Sequence, residues 1–166
     1  AIREVGRERS EVGPRQKIFH VYVIANLADP LASGILFDVA SLAASAASPW
    51  RARIVAVLNA TVFFRDAAQE RHDCANIYAA LRELDHLMAA RQETFGFSYD
   101  RRVSVAPRQR PFDVCYMNTG ENPAGALKDD AEMAAYAARF VGHLLTSPLG
   151  TVAEQAVEDA GVLDLF

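Results

Sequence analysis

The sequence predicts an α/β fold with at least three parallel strands. Residues 18–25 and 54–58 are nearly unbroken apolar, β-branched runs, which are typical of strands buried on both faces of a parallel sheet. Between them the apolar residues recur at helical spacing, starting at Gly34. Strand, helix and strand in close succession form a βαβ unit, whose crossover is right-handed in nearly all proteins. A third strand is expected at residues 112–117.

The first strand is followed by a loop at residues 26–33, and Ser33 is the expected N-cap of the first helix. A second helix is expected from about Cys74 to Arg91, because its apolar residues lie on one face. Residues 93–110 are mixed and basic, and we expect an exposed excursion there, with a small hairpin as one form.

The last part of the chain is predicted to be helical. A long helix is expected from about Asp129 to Ser147, since acidic residues at its start complement the positive end of the helix dipole. A short final helix is expected at residues 152–160.

Composition limits the classes of function. The 166 residues, 51% of them hydrophobic, suit one domain over residues 1–166 that opens with a polar segment at 1–16. The net charge of -4 argues against nucleic-acid binding. Two cysteines cannot form a disulfide framework, which favours a cytoplasmic location. The apolar runs are too short for a membrane span.

Ligands of open α/β sheets bind beyond the carboxyl ends of the strands. That rule selects the loops at residues 26–34, 59–73 and 118–128. The first loop leads into a helix whose amide groups are suited to phosphate, but Asp29 would repel an anion and Pro30 has no N–H to donate. Phosphate binding and a tight strand-to-helix turn are therefore both open, and the residues favour the turn.

The sequence gives little support to a metal site or to a catalytic site. His72, Cys74 and His86 lack any standard zinc spacing, so we expect no metal site. No nucleophile elbow, CxxC motif or pair of facing carboxylates is recognisable, and we assign no catalytic residue.

The order of segments resembles the middle part of the GTPase domain of the tubulin/FtsZ superfamily, above all its divergent bacterial tubulin-like group. The similar segments are a strand and loop ending in Ser33-Gly34, the helical sequence at residues 75–85, and the strand at 111–117 followed by Asn118. The resemblance covers about residues 17–147 and implies a Rossmann-like three-layer core with a mainly parallel sheet.

The resemblance also implies site residues. Ser33 and Gly34 would face phosphate, Asn76 would lie near the ribose or base, and Asn118 would contact the base of GTP or GDP bound with Mg²⁺. The family's phosphate loop is rich in glycine, whereas residues 28–32 here read Ala-Asp-Pro-Leu-Ala. We recognise neither the family's first glycine-rich loop before residue 17 nor its acidic catalytic loop at residues 152–166.

Three functional hypotheses follow. The favoured one is a structural or assembly subunit with a degenerate nucleotide-binding core and no GTP hydrolysis. It would self-assemble or bind protein partners, through residues 101–110 or through faces left open by missing strands. The second is one part of a GTP-binding, filament-forming cytoskeletal protein, which would be a GTPase if the family activity is retained. The third is an unrelated Rossmann-like enzyme for another ligand.

Overall fold

The computed structural model describes residues 18–47, 50, 52–63, 66–89, 98–100, 103–105, 110–122 and 125–159. The chain falls into two compact units, residues 1–119 and 120–166. The polar segment at 1–16 lies outside the described residues, and a single domain over 1–166 stays a prediction.

The elements of the first unit, in chain order, are β1 (Phe19–Asn26), α1 (Pro30–Ala47), β2 (Ala52–Asn59), α2 (Ala67–Ala89), β3 (Ser98–Asp100), β4 (Val103–Ser104) and β5 (Val114–Asn118). The second unit contains β6 (Glu121–Asn122), β7 (Gly125–Ala126), α3 (Asp130–Thr146) and α4 (Pro148–Asp159).

The main sheet has three parallel strands in the order β1-β2-β5. Helix α1 joins β1 to β2 and packs on both strands and on α2. This arrangement is the predicted βαβ unit extended by a third parallel strand, so the α/β prediction is confirmed. All three strands run in the same direction, and their carboxyl ends therefore meet at one edge of the sheet.

The core lies between the sheet and its helices. Burial of apolar surface is the main force that holds helices against a sheet. The largest fully buried apolar side chains come from the sheet, the helices and the adjoining loops: Leu27, Leu36, Ile54, Leu58, Leu84 and Phe112. Phe37 of α1 packs against Phe112 with ring centroids 6.2 Å apart, and this contact fixes α1 beside the segment that leads into β5.

Strand β1 differs from its prediction. It lies at the edge of the sheet formed by the described strands, and its residues 19–22 are partly exposed. Ile24 is 50% exposed. An apolar run predicts a strand but does not distinguish a central strand from an edge strand, and only β2 has the continuous burial that we expected of both.

Both helices of the first unit begin earlier than predicted, because aspartates cap them. Helix α1 begins at Pro30, after Asp29, whose Oδ1 accepts the amide hydrogen of Ala32 at 2.8 Å. Ser33 is therefore not the N-cap and lies in the first turn. Helix α2 begins at Ala67, seven residues before Cys74, after Asp66.

The cap of α2 is made by the Asp66 carboxylate. Its Oδ1 accepts the amide hydrogens of Ala68 and Gln69, both at 2.9 Å. The hydrogen bond from Gln69, and after it that from Ala68, lowers the pKa of this carboxyl.

The basic excursion contains the antiparallel hairpin β3–β4. Three of its four arginines, Arg101, Arg102 and Arg108, lie outside the described residues. The hairpin that we named as one form of the excursion is therefore present, and the proposed contact role of its arginines stays a prediction.

In the second unit, α3 follows the predicted boundaries. Asp129 is its N-cap and accepts the amide hydrogen of Glu132 at 2.8 Å. The final helix, α4, begins at Pro148 rather than at residue 152 and packs against α3.

One described helix, Pro30–Ala47, is long and apolar enough to cross a membrane by length and composition. We predicted no membrane span because we examined only unbroken apolar runs, and this helix was therefore missed. The helix is the crossover between two paired parallel strands and packs on both of them, which is the usual setting of an apolar core helix.

Candidate ligand-binding site at the carboxyl end of the sheet

Each strand of the main sheet ends in an asparagine. Asn26 lies beside Asn59, and Asn59 lies beside Asn118, in the parallel register of the sheet. The side-chain Nδ2 of Asn118 donates to Oδ1 of Asn59 at 3.0 Å, and Asn59 is only 4% exposed. The three residues form a row of carboxamides across the edge where ligands of α/β sheets bind.

Backbone hydrogen bonds between neighbouring strands continue for one residue beyond the strand ends. The amide of Leu27 donates to the Asn59 carbonyl, and the amide of Ala60 donates to the Asn118 carbonyl, each at 2.8 Å. The loops that leave the three strands are therefore held close together.

The turn after β1 is closed by its own hydrogen bonds. The Ala28 amide donates to Oδ1 of Asn26 at 3.1 Å, and the Asp29 amide donates to the Asn26 carbonyl at 3.2 Å. An asparagine side chain that binds the backbone two residues ahead is a common way to stabilise a tight turn. This is the strand-to-helix turn that the sequence favoured.

The amino end of α1 is occupied by the Asp29 carboxylate. Besides the bond from Ala32, the Ser33 amide donates to the Asp29 carbonyl at 2.9 Å. Pro30, the first residue of the helix, has no amide hydrogen. A negative side chain thus lies at the positive end of the helix dipole, the position that a phosphate group occupies in phosphate-binding loops.

Ser33 and Gly34, the expected phosphate contacts, lie in the first turns of α1. The Ser33 hydroxyl is 3.4 Å from the Pro30 carbonyl, within its own helix. Gly34 is exposed, and a Cβ added to it would meet nothing within 4 Å. Space around Gly34 therefore does not require a glycine.

Asn76 and Asn118 belong to the same set of contacts. Asn76 lies on α2, and its Nδ2 donates to the Ala28 carbonyl at 3.0 Å, which ties α2 to the turn after β1. The structure thus places Asn76 and Asn118 at the carboxyl edge of the sheet, whereas Ser33 and Gly34 lie in the first turns of α1. Asn26 and Asn59 were missed, although the signal was available, since each directly follows an apolar strand run.

Thr61 is a third residue that the sequence analysis missed. It lies two residues after β2 and is 8% exposed, and its hydroxyl oxygen is buried without a hydrogen-bond partner. A buried polar atom in this state costs free energy unless another group or a ligand satisfies it. Thr61 is a further buried polar residue, two positions along the chain from Asn59.

Titratable groups add little to this site. Burial, and after it the charge of Asp113, raises the pKa of the Cys115 thiol in β5 to about 12, which makes it a poor nucleophile. Within the part of the chain that the structure describes, no three His, Cys, Asp or Glu side chains cluster as metal ligands.

Comparison with known protein families shows to which family the chain belongs. A family model described as tubulin-like matches residues 2–161. The chain belongs to this tubulin-like family. No curated protein and no solved structure matches the chain. The match confirms the resemblance drawn from the segment order, and the parallel sheet with its helices is consistent with the Rossmann-like core of a tubulin-like protein.

Proposed function

We propose that this tubulin-like chain is a structural or assembly subunit whose degenerate nucleotide-binding core does not hydrolyse GTP. The observation that carries the proposal is the position of Asp29. Its carboxylate caps α1 at the point where a tubulin-like protein would hold the nucleotide phosphates.

Charge is the first reason. A phosphate group at the start of α1 would lie against the Asp29 carboxylate, and two negative charges at such short range repel each other. Moving Asp29 away would break the cap of α1, which by itself costs about 1 kcal/mol. The nucleotide would have to overcome both costs before gaining any contact of its own.

The supply of hydrogen-bond donors is the second reason. A phosphate loop works by pointing free amide hydrogens at the anion. In this turn the amides of five residues, Leu27, Ala28, Asp29, Ala32 and Ser33, donate to oxygen atoms of the protein itself. Pro30 has no amide hydrogen to offer.

The carboxamide row has a structural explanation in this account. Asn118 joins β5 to β2, Asn26 closes the turn after β1, and Asn76 ties α2 to that turn. These hydrogen bonds connect the carboxyl end of the sheet to its neighbouring elements within the protein itself. A structural subunit that binds no nucleotide needs such internal contacts at this edge.

The alternative is one part of a GTP-binding, filament-forming protein. One observation favours it: Ser33, Gly34, Asn76 and Asn118 all come from elements that meet at the carboxyl edge of the sheet, beside the unpartnered hydroxyl of Thr61. In that case GTP would bind with Mg²⁺ and control assembly.

Sedimentation and phosphate release together test the proposal. The purified chain is spun with and without GTP and Mg²⁺, and released phosphate is measured in the same samples. We expect the same fraction in the pellet under both conditions and no phosphate above the protein-free blank. Assembly that requires GTP, or steady phosphate release, would support the alternative.

A further inference from the structure

Helix α1 carries apolar side chains on two opposite sides. One side packs on the sheet through Leu36, Phe37 and Ala40, each at most 4% exposed. On the other side four large apolar side chains remain between 40% and 69% exposed: Leu31, Ile35, Val39 and Leu42. Their spacing of three or four residues places them in one continuous stripe along the helix. A contiguous exposed stripe of this kind, unlike a single exposed leucine, indicates a contact surface.

The charges of α1 limit what can cover this stripe. Helices that lie on a membrane surface carry lysine and arginine on their polar face, and α1 contains neither. Its one charged residue is Asp38, beside the stripe, and Asp29 caps its amino end. Both charges would be repelled by an anionic lipid surface. The stripe itself offers no charge to an ionic partner, so we expect an apolar protein surface to cover it.

A second copy of α1 supplies such a surface. Leu31, Ile35 and Val39 recur at intervals of four residues and form a ridge, which packs into the groove of another helix. The neighbouring row at the same interval begins at Gly34, where an added Cβ would meet nothing within 4 Å. A partner's side chain therefore has room beside the ridge. Ridge and groove on one helix can complement each other about a two-fold axis, the commonest symmetry of protein dimers.

Charge favours the antiparallel direction for such a pair. Each amino end, which is the positive end of the helix dipole, then lies beside the negative carboxyl end of the partner helix. A parallel pair would instead bring two Asp29 carboxylates together. The antiparallel pair also aligns the stripe with itself, because Leu31 of one copy lies opposite Leu42 of the other.

The size of the stripe determines how strong the contact can be. Four partly exposed side chains offer on the order of a few hundred Å² of apolar surface on each copy, whereas a stable interface buries about 800 Å² on each partner. The contact should therefore be weak and reversible, and the fraction of dimer should depend on protein concentration.

We propose that two copies of this chain associate through the exposed stripe of α1, as an antiparallel helix pair. This inference rests on the proposed function and deepens it, because it names the surface by which an assembly subunit meets a second copy of itself. Nucleotide takes no part in the contact, since the stripe lies on the side of α1 that faces away from the sheet.

Sedimentation velocity of the full chain without nucleotide, from low micromolar to submillimolar concentration, tests the proposal. We expect the mean mass to rise with concentration from the 18.1 kDa monomer towards a dimer. Leu31→Glu and Ile35→Glu each place a carboxylate in the apolar contact and should raise the dissociation constant about tenfold or more. Tyr78→Glu is the matched control, because Tyr78 is 67% exposed on α2, outside the stripe, and association should be unchanged.

Folding of the variants is checked by thermal melting. Leu31 is 69% exposed and lies in the first turn of α1, where an acidic side chain is favourable, so Leu31→Glu should melt no lower than the wild type. Its loss of association would then be a property of the surface and not of the fold.

Cross-linking tests the direction of the pair. Leu31→Cys and Leu42→Cys are made separately, each together with Cys74→Ser, which removes the exposed native thiol. A short bismaleimide should join a mixture of the two variants far more than it joins either variant alone. A parallel pair would give the opposite result.

The possible failures are distinguishable. A monomer at every concentration, or a dimer that both glutamate variants leave intact, would overturn this inference and leave the absence of GTP hydrolysis untouched. Binding to phosphatidylserine vesicles that Ile35→Glu abolishes would assign the stripe to a membrane and overturn it as well. Association that requires GTP and Mg²⁺ would overturn both this inference and the proposed function.

Discussion

The Asp29 carboxylate lies at the start of α1, at the positive end of the helix dipole. It accepts the amide hydrogen of Ala32, and the Asp29 carbonyl accepts that of Ser33. We predicted Ser33 as the N-cap of α1, but the structure places Asp29 there. Pro30 is the signal that we missed, because proline is favoured at the first position of a helix and Asp29 directly precedes it.

The two cysteines should differ sharply in reactivity. Cys74 is exposed on α2, whereas Cys115 is partly buried in β5 and its pKa is raised to about 12. Because the thiolate is the reactive form, iodoacetamide at neutral pH should label Cys74 and leave Cys115 unmodified until the chain unfolds. Mass spectrometry of peptides with and without denaturant measures this, and rapid native labelling of Cys115 would contradict the burial of β5.

The raised pKa of Cys115 also makes the stability of the protein depend on pH in the alkaline range. Folding favours the protonated thiol of Cys115, whose ordinary pKa is 9.0. The stability that this preference contributes is complete below about pH 9 and is lost as the pH rises towards 12.

At the scale of elements, polar helix starts were the hardest features to predict. The first two turns of α2 carry few apolar residues, so helical periodicity is weak before Cys74. The structure extends the helix to Ala67 with polar contacts: the Asp66 cap and a hydrogen bond from Gln69 Nε2 to Asp73 Oδ1 at 2.7 Å. Helix α3 was easier, because Asp129 stands directly before its apolar pattern.

Two glycines of the second unit should respond in opposite directions to alanine. A Cβ on Gly150, in the first turn of α4, would lie 1.9 Å from the backbone oxygen of Leu144. Gly150→Ala must therefore move backbone, and we expect it to lower the free energy of unfolding by about 1–3 kcal/mol.

Gly142 is the matched control. It lies within α3, and a Cβ there would meet nothing within 4 Å. Gly142→Ala should raise the free energy of unfolding by about 0.5–1 kcal/mol, because glycine is a poor helix former. Urea unfolding of both variants measures the difference. Equal stability of the two would contradict the close packing at the start of α4.

At the scale of the whole molecule, the apolar runs and their order predicted the parallel α/β sheet and the family relationship. They did not predict that β1 is an edge strand of the described sheet, since strand order depends on pairing between distant segments. The row of asparagines was also missed, because it becomes a row only when the register places Asn26, Asn59 and Asn118 side by side.

The central claim is that Asp29 and Pro30 close the phosphate position. Calorimetric titration of the wild-type chain with GTP in the presence of Mg²⁺ tests it most directly. The comparison is with Asp29→Gly combined with Pro30→Gly, which removes the carboxylate and restores an amide hydrogen. Asp66→Gly is the matched control, because it removes the cap of another helix of the first unit.

We predict no micromolar binding of GTP by the wild type or by Asp66→Gly, and a measurable gain in affinity in the double glycine variant. Micromolar binding of GTP by the wild-type chain would show that phosphate is held despite Asp29 and Pro30, and it would contradict this account.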